Sequence, residues 1–156
     1  MDQQRLPKTL PGRTGLALRA PSEAEREAVA AARALIAERQ AEGRHHVAAS
    51  LIADDGRLFT FLNLESVLGQ AARCAEPAAL SAALSHPEPP AAIVFSCAVN
   101  RRGEVLPPCG LCRELFLDLA PDIELAVPMD GFDFAVTTLR ELMPMPYKAG
   151  RRAMDP

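Results

Sequence analysis

Apolar residues recur at helical spacing between residues 22 and 43, and charged residues fill the other positions. Ser22 and Glu25 have the spacing of a capping box, in which each side chain bonds the backbone of the other residue. Gly43 is a natural stop for a helix. The pattern predicts a long amphipathic helix whose apolar face carries Val29, Ala32, Leu35 and Ile36.

Three short apolar runs have the character of strands. Residues 47–53 and 57–62 flank a turn sequence at 54–56 that contains glycine, so we expect these two runs to form a β-hairpin. Residues 91–99 are apolar without a clean alternation, which is typical of a strand covered on both faces. We therefore expect the third run in the middle of a sheet.

Two more helices are expected at residues 74–84 and 109–119. Pro77 falls in the first turn of the former, where no intrahelical N–H bond is lost. Helices that alternate with strands in this way pack on a mixed sheet, so the fold class is α/β. The remaining expected segments are a loop at residues 63–73, strands at 123–127 and 132–136, and a short helix at 137–143.

The chain has 156 residues, enough for one domain with its own core. Residues 1–20 lack periodicity and mix Pro, Gly, Lys and Arg, so we expect a flexible or loosely docked arm there. A single domain would span residues 21–150, with a tail at 151–156. The apolar runs are far shorter than the roughly 20 residues of a membrane span, and no secretory leader is recognisable, so we expect a cytoplasmic protein.

The charge of the chain bears on its partners. A net charge of −3 and a pI near 5.6 do not suit a protein that follows a polynucleotide backbone, because that affinity comes from clustered Lys and Arg. We therefore expect a small-molecule substrate and no nucleic acid partner.

The cysteines carry the candidate chemistry. In a cytosolic chain of this size, cysteines indicate metal binding or catalysis before they indicate disulfides. Cys109 and Cys112 begin one predicted helix and Cys74 begins another, so their thiolates can bind one Zn²⁺ ion per subunit and leave its fourth position for water. Glu76, two residues after Cys74, is placed to move protons without binding the ion. This spacing resembles the signature of the zinc-dependent deaminases.

The alternative is a structural zinc knuckle, or cysteines that bind no metal. Structural zinc sites prefer four protein ligands, and the fourth cysteine, Cys97, falls within a predicted strand, where we expect a buried apolar residue. Arg73 and Arg113 each adjoin a ligand, so we expect them to offset the thiolate charge and to donate hydrogen bonds to sulfur. The helix dipoles and the ion together would lower the thiol pKa values.

A resemblance to a known family covers about residues 47–147. It is carried by Asp55-Gly56-Arg57-Leu58-Phe59, Asn63-Leu64-Glu65, Cys74-Ala75-Glu76, Pro108-Cys109-Gly110-Leu111-Cys112-Arg113 and the ending from Glu141 to Tyr147. These stretches are similar to the cytidine deaminases, the small homotetrameric enzymes that act on free nucleosides. The resemblance implies a three-layer α/β/α sandwich with a five-stranded mixed sheet. It also implies hydrolytic deamination of a cytosine nucleoside to the uracil nucleoside, with release of ammonia.

The same resemblance implies contacts to the substrate. Asn63 and Glu65 would hold the ribose hydroxyls, and the backbone amide of Ala75 would meet the pyrimidine O2. Tyr147 would lie over the pyrimidine ring from a neighbouring subunit of the homotetramer. His45 stands, with His46 after it, where the family has Phe-Pro, so we expect a more polar pocket at that position.

Other readings of the pattern stay open at this point. Residues from 47 onward and from 112 to 121 also resemble blasticidin S deaminase, so a modified cytosine nucleoside or another amino-heterocycle is an alternative substrate. A zinc-stabilised binding protein without catalysis is an alternative of another class. A deaminase that edits nucleic acid is a third, which the acidic pI disfavours.

Overall fold

The computed structural model describes residues 15–147, which form helices on a single mixed sheet. The sheet order is β2-β1-β3-β5-β6, with β4 paired to β3; β3 and β5 are parallel and the other pairs are antiparallel. The elements in chain order are α1 (Glu23–Arg39), β1 (Val47–Ala53), β2 (Leu58–Leu62), a 3-10 turn (Gly69–Ala71), α2 (Ala75–Leu84), β3 (Ile93–Asn100), β4 (Val105–Leu106), α3 (Gly110–Leu119), β5 (Glu124–Val127), β6 (Ala135–Thr138) and α4 (Leu139–Leu142).

The sheet separates two apolar clusters, which confirms the predicted three-layer sandwich. On one face, Val29 and Ile36 of α1 pack with Phe95 of β3. On the other face, Leu80 of α2 and Phe116 of α3 pack with buried side chains of β1 and β5. Successive residues of a strand point to opposite faces, which is why the covered strands are apolar at almost every position.

The strand predictions differ from the structure in two main respects. The strand expected at residues 132–136 begins later, at Ala135, because residues 128–134 contain a turn with Gly131 at φ 79°. A short strand at Val105–Leu106 was not expected, so the sheet has six strands rather than five. It pairs with Ala98 and Val99 of β3. A two-residue strand carries no periodicity, so no sequence pattern predicts it.

The capping box at the start of α1 is confirmed. The Ser22 hydroxyl accepts from the Glu25 N–H, and the Glu25 carboxylate accepts from the Ser22 N–H at 2.7 Å. The helix ends at Arg39, before the predicted stop, and Gly43 occupies a positive-φ position in the turn that follows. The backbone then enters β1 at the edge of the functional site.

Residues 15–20 lie along the sheet edge. The N–H and carbonyl of Arg19 form two hydrogen bonds with Val136 of β6, and the Thr137 hydroxyl donates to the carbonyl of Ala17. The rest of the predicted arm, the end of the predicted domain at 148–150 and the predicted tail at 151–156 lie outside the described residues. Within residues 15–147, every helix is too short or too polar to cross a bilayer.

Stability in acid depends on an ion pair at this edge. The guanidinium of Arg19 binds the buried carboxylate of Glu25 at 2.5 Å and also binds Glu124. Burial alone would raise the pKa of Glu25, but the hydrogen bonds from Arg19 and Ser22 lower it below its ordinary value. A carboxyl with a lowered folded-state pKa stabilises the fold above its unfolded-state pKa, and that contribution is lost as pH falls through the folded-state value.

We expect Glu25→Gln to lower the free energy of unfolding at pH 7 by about 2 kcal/mol, because Arg19 loses its buried partner. The loss of stability between about pH 5 and pH 2 should then be shallower than in the wild-type protein. Urea unfolding across this pH range measures both effects. Glu23→Gln is the matched control, since Glu23 is exposed in the same helical turn. Equal acid sensitivity of the Glu25 variant and the wild type would contradict the assignment.

Candidate active site

Three cysteines meet where two helices begin. Cys74 is the N-cap of α2, Cys109 is the N-cap of α3, and Cys112 lies in the first turn of α3. The Sγ atom of Cys109 is 3.6 Å from that of Cys74 and 3.5 Å from that of Cys112, and all three Sγ atoms lie within 4.8 Å of one another. The structure therefore brings together the three residues that the sequence predicts as ligands.

The spacing of the sulfur atoms fits a metal site. Tetrahedral zinc with Zn–S bonds of about 2.3 Å holds its sulfur ligands roughly 3.8 Å apart. The observed separations are near that value and are far longer than the roughly 2.05 Å of a disulfide bond. Cys97 is buried on the opposite face of the sheet, in the cluster with α1. The structure thus confirms Cys97 as a buried apolar residue.

The thiol groups need a cation to ionise together. Among protein groups alone, burial and the neighbouring Cys109 raise the pKa of Cys74 to about 11. Burial, followed by the charge of Glu76, raises the pKa of Cys112 as well. The sequence-based expectation concerns the joint effect of the helix dipoles and the ion on these pKa values, and it stays a prediction. A divalent ion would supply the missing positive charge.

Glu76 lies inside the same site. It is the second residue of α2 and only 4% exposed, and burial raises the pKa of its carboxyl. A carboxyl of this kind holds a proton more readily than an exposed one and can return it to a substrate. Its position, two residues after Cys74 and in electrostatic contact with Cys112, suits proton transfer next to a metal.

A cavity of about 380 Å³ opens onto Cys74, Cys109 and Glu76. Its size suits a small molecule of nucleoside dimensions. Sequence reasoning missed its apolar wall, because that wall depends on β4 and on side chains that adjoin motifs without being part of them. The wall consists of Val47, Leu64, Ala98, Leu106, Pro107 and Leu111.

Asn63 and Glu65 line the same cavity and are coupled to each other. The Asn63 Oδ1 accepts from the N–H groups of His46 and Val47, at 2.7 and 3.0 Å. Its Nδ2 donates to the Glu65 Oε1 at 2.7 Å. These bonds fix the amide orientation of Asn63, so that one Nδ2 hydrogen and the Glu65 Oε2 remain for a ligand.

The other residues that are predicted to contact substrate differ in their burial and in their hydrogen-bond partners. Ala75 is fully buried at the first position of α2, where helical N–H groups have no intrahelical acceptor. The His45 Nδ1 is 2.7 Å from the Asn63 carbonyl, and His45 borders a second cavity of about 300 Å³. Tyr147 is 70% exposed, and its N–H donates to Glu114. Contact of His45 or Tyr147 with substrate stays a prediction.

The two arginines next to the ligands bind backbone carbonyls. Arg73 donates to the carbonyls of Gln70 and Ala72, which holds the loop before Cys74. Arg113 donates through Nε to the carbonyl of Pro108 and through Nη1 to that of Leu142. Arg113 therefore ties the cysteine-bearing loop to the end of α4. The expected hydrogen bonds to sulfur stay a prediction.

Comparison with known proteins agrees with this geometry. No protein-family model matches the sequence. The chain is 32% identical over 112 residues to the blasticidin-S deaminase of Bacillus cereus, an alignment that covers 68% of this chain and 79% of the relative. It is 30% identical over 107 residues to the cytidine deaminase of Halalkalibacterium halodurans, covering 68% of this chain and 80% of that protein.

A solved structure shares the fold. The crystal structure of the cytidine deaminase from Burkholderia pseudomallei superposes with a TM-score of 0.65 and 27% identity. The match covers 78% of this chain and 98% of that one. Fold and site together define a hydrolytic aminohydrolase. The chain belongs to the cytidine deaminase family.

Proposed function

We propose that this protein is a zinc-dependent deaminase that converts a free cytosine nucleoside, cytidine or deoxycytidine, to the uracil nucleoside and ammonia. The observation that carries the proposal is one cavity lined by the Asn63–Glu65 pair, the buried Glu76, and two members of a cluster of three cysteines at metal-ligand spacing. The pair suits recognition of a sugar, Glu76 suits proton transfer, and the cysteine cluster suits a metal.

Cys74, Cys109 and Cys112 would hold the ion, because thiolates are preferred zinc ligands and their spacing fits a tetrahedral site. When bound, zinc supplies a Lewis acid that makes water a stronger acid and nucleophile. Glu76 would take the two protons of the attacking water in turn, and deliver one to the ring nitrogen and the other to the departing amine. The oxygen of water becomes bonded to C4 of the ring, and the C4–N bond breaks to release ammonia.

Glu65 is placed to accept a hydrogen bond from the sugar. Its Oε1 is occupied by Asn63, and about a third of its side chain is exposed next to the cavity. The backbone amide of Ala75, at the N-terminus of α2, would bind the pyrimidine O2. The apolar wall would exclude water from the rest of the ring.

We expect Glu65→Gln to raise KM for cytidine about tenfold while kcat changes little, because a neutral amide accepts a weaker hydrogen bond than a carboxylate does. Steady-state kinetics with purified protein measure KM and kcat separately. Glu42→Gln, an exposed carboxylate next to the second cavity, is the control and should behave as the wild type. A fall in kcat with unchanged KM would contradict a role in sugar binding.

The relative from Bacillus cereus makes blasticidin S a second candidate substrate. An ultraviolet assay of zinc-loaded protein on cytidine, deoxycytidine and blasticidin S separates the candidates. We expect turnover of at least one simple nucleoside. Turnover of blasticidin S alone would support the proposed chemistry of the site but identify blasticidin S, rather than a simple nucleoside, as the substrate.

We also infer that the protein forms a homotetramer, as the family resemblance implies. Leu111 beside the cavity and the Tyr147 side chain are largely exposed in the single chain. Such apolar surface at the mouth of a site suits burial against another subunit. Light scattering of the purified protein tests this inference, and a monomeric mass would contradict it.

A further inference from the structure

His46 lies beside Glu65 and faces two carboxylates. Its Nδ1 atom is 3.9 Å from the Glu65 Oε1, and its Nε2 atom is 3.9 Å from the Glu42 Oε1. Glu42 is mostly exposed, and its other oxygen is 2.8 Å from the guanidinium of Arg101. The charge of Glu42 is thus already compensated, whereas Glu65 has no arginine or lysine among its described ion-pair partners.

The tautomer of His46 follows from a backbone hydrogen bond. The N–H of Gly43 donates to the His46 Nε2 at 3.2 Å. A ring nitrogen that accepts a hydrogen bond carries no proton, and a neutral imidazole carries its proton on the other nitrogen. The proton of neutral His46 therefore sits on Nδ1, the ring nitrogen that lies 3.9 Å from the Glu65 Oε1.

The Oε1 atom of Glu65 consequently lies between two donors. The Asn63 Nδ2 reaches it at 2.7 Å, and the His46 Nδ1 lies on another side at 3.9 Å. The second distance is too long for a direct hydrogen bond but suits an electrostatic contact or one bridging water. Because Asn63 is bonded to Oε1 and His46 lies near the same oxygen, Oε2 is the oxygen that is available to a ligand.

We propose that His46 is a positioning residue for sugar recognition, in that its Nδ1–H holds the Glu65 carboxylate with Oε2 toward the cavity. The inference rests on the proposed function, because it assumes that Glu65 accepts a sugar hydroxyl. It differs from the family resemblance, which assigns no role to this position. The backbone N–H of His46 supports the same arrangement by fixing Asn63.

The kinetic test compares His46→Leu, which removes the ring donor, with His46→Asn, whose amide nitrogen takes the place of Nδ1. We expect His46→Leu to raise KM for cytidine roughly fivefold with kcat unchanged, and His46→Asn to restore most of the affinity. 2′,3′-Dideoxycytidine lacks the vicinal sugar hydroxyls that Glu65 would bind, so its KM should be the same in both variants and in the wild type. Glu42→Gln removes the other carboxylate near the His46 ring and should change the KM of neither substrate. An equal change for cytidine and dideoxycytidine, or no change for either, would overturn the proposal.

A second measurement does not depend on turnover. Nitrogen-15 NMR of the wild-type protein at pH 8, where an ordinary imidazole is neutral, should show the His46 proton on Nδ1. Glu65→Gln should shift that Nδ1 signal, whereas Glu42→Gln should leave it in place. A dominant Nε2–H tautomer would refute the positioning role. Wild-type protein that turns over neither cytidine nor deoxycytidine would refute the proposed function instead, and the NMR signal would then test only the contact between His46 and Glu65.

Discussion

Replacing Glu76 with Gln should reduce turnover of cytidine by at least about a thousandfold and leave the metal content unchanged. The amide keeps the size of the side chain but cannot take a proton, and general acid–base catalysis contributes roughly 10²–10⁴-fold in enzymes. Glu76 serves both the attacking water and the departing amine in the proposed mechanism, so the expected loss lies in the upper part of that range. Because the buried carboxyl is replaced by a neutral group, folding should not suffer.

The experiment measures three quantities: kcat, the zinc content per chain and the thermal unfolding midpoint. Glu104→Gln is the matched control, since Glu104 is an exposed carboxylate that pairs with Arg102 and does not line the cavity. It should retain wild-type turnover. If the Glu76 variant retained wild-type turnover with zinc bound, the proton-transfer role of Glu76 would be wrong.

Replacing Cys112 with Ala should abolish zinc binding and activity together. Cys112 is the most buried of the three ligands, and its neighbours Cys74 and Cys109 alone offer two thiolates, too few for a closed or a catalytic zinc site. We expect the zinc content to fall from one ion per chain to less than about a tenth of that value under dialysis, because loss of a ligand weakens a metal site by many orders of magnitude. Turnover should fall to the same extent.

The fourth cysteine provides the control for this loss. Cys97 is equally buried but lies on the other face of the sheet, so Cys97→Ala should keep zinc and turnover while destabilising the fold by about 1 kcal/mol. Metal analysis by mass spectrometry and chemical unfolding separate the two effects. Retention of one zinc ion per chain in the Cys112 variant would show that the three cysteines are not the ligand set.

Some parts of this site follow from the sequence because they depend on local structure. Cys74, Cys109 and Cys112 sit at helix starts, and helix starts are marked by short-range patterns. Glu76 follows Cys74 within a single turn, so its place near the cysteine cluster needs no long-range information. The three layers of the fold follow from the apolar strand at residues 91–99, which only a covered sheet accommodates.

Other parts depend on contacts between distant segments, which spacing does not reveal. The fixed amide of Asn63 requires the start of β1 to meet the loop after β2, where the His46 N–H binds it. Arg113 binds the carbonyl of Leu142, 29 residues away, and spacing does not predict that contact. The apolar wall at Leu106 depends on a two-residue strand that has no pattern of its own. Tertiary pairing determines each of these features.

The most direct test of the account is the reaction itself. Zinc-loaded protein would be incubated with cytidine in water enriched in the heavy oxygen isotope, and the nucleoside and ammonia would be measured by mass spectrometry and a coupled assay. We expect uridine with one heavy oxygen on the base, and one ammonia per uridine. Both products should be absent with the Glu76→Gln variant. Unlabelled uridine, or no uridine and no ammonia from protein with one zinc per chain, would contradict hydrolytic deamination of cytidine at this site.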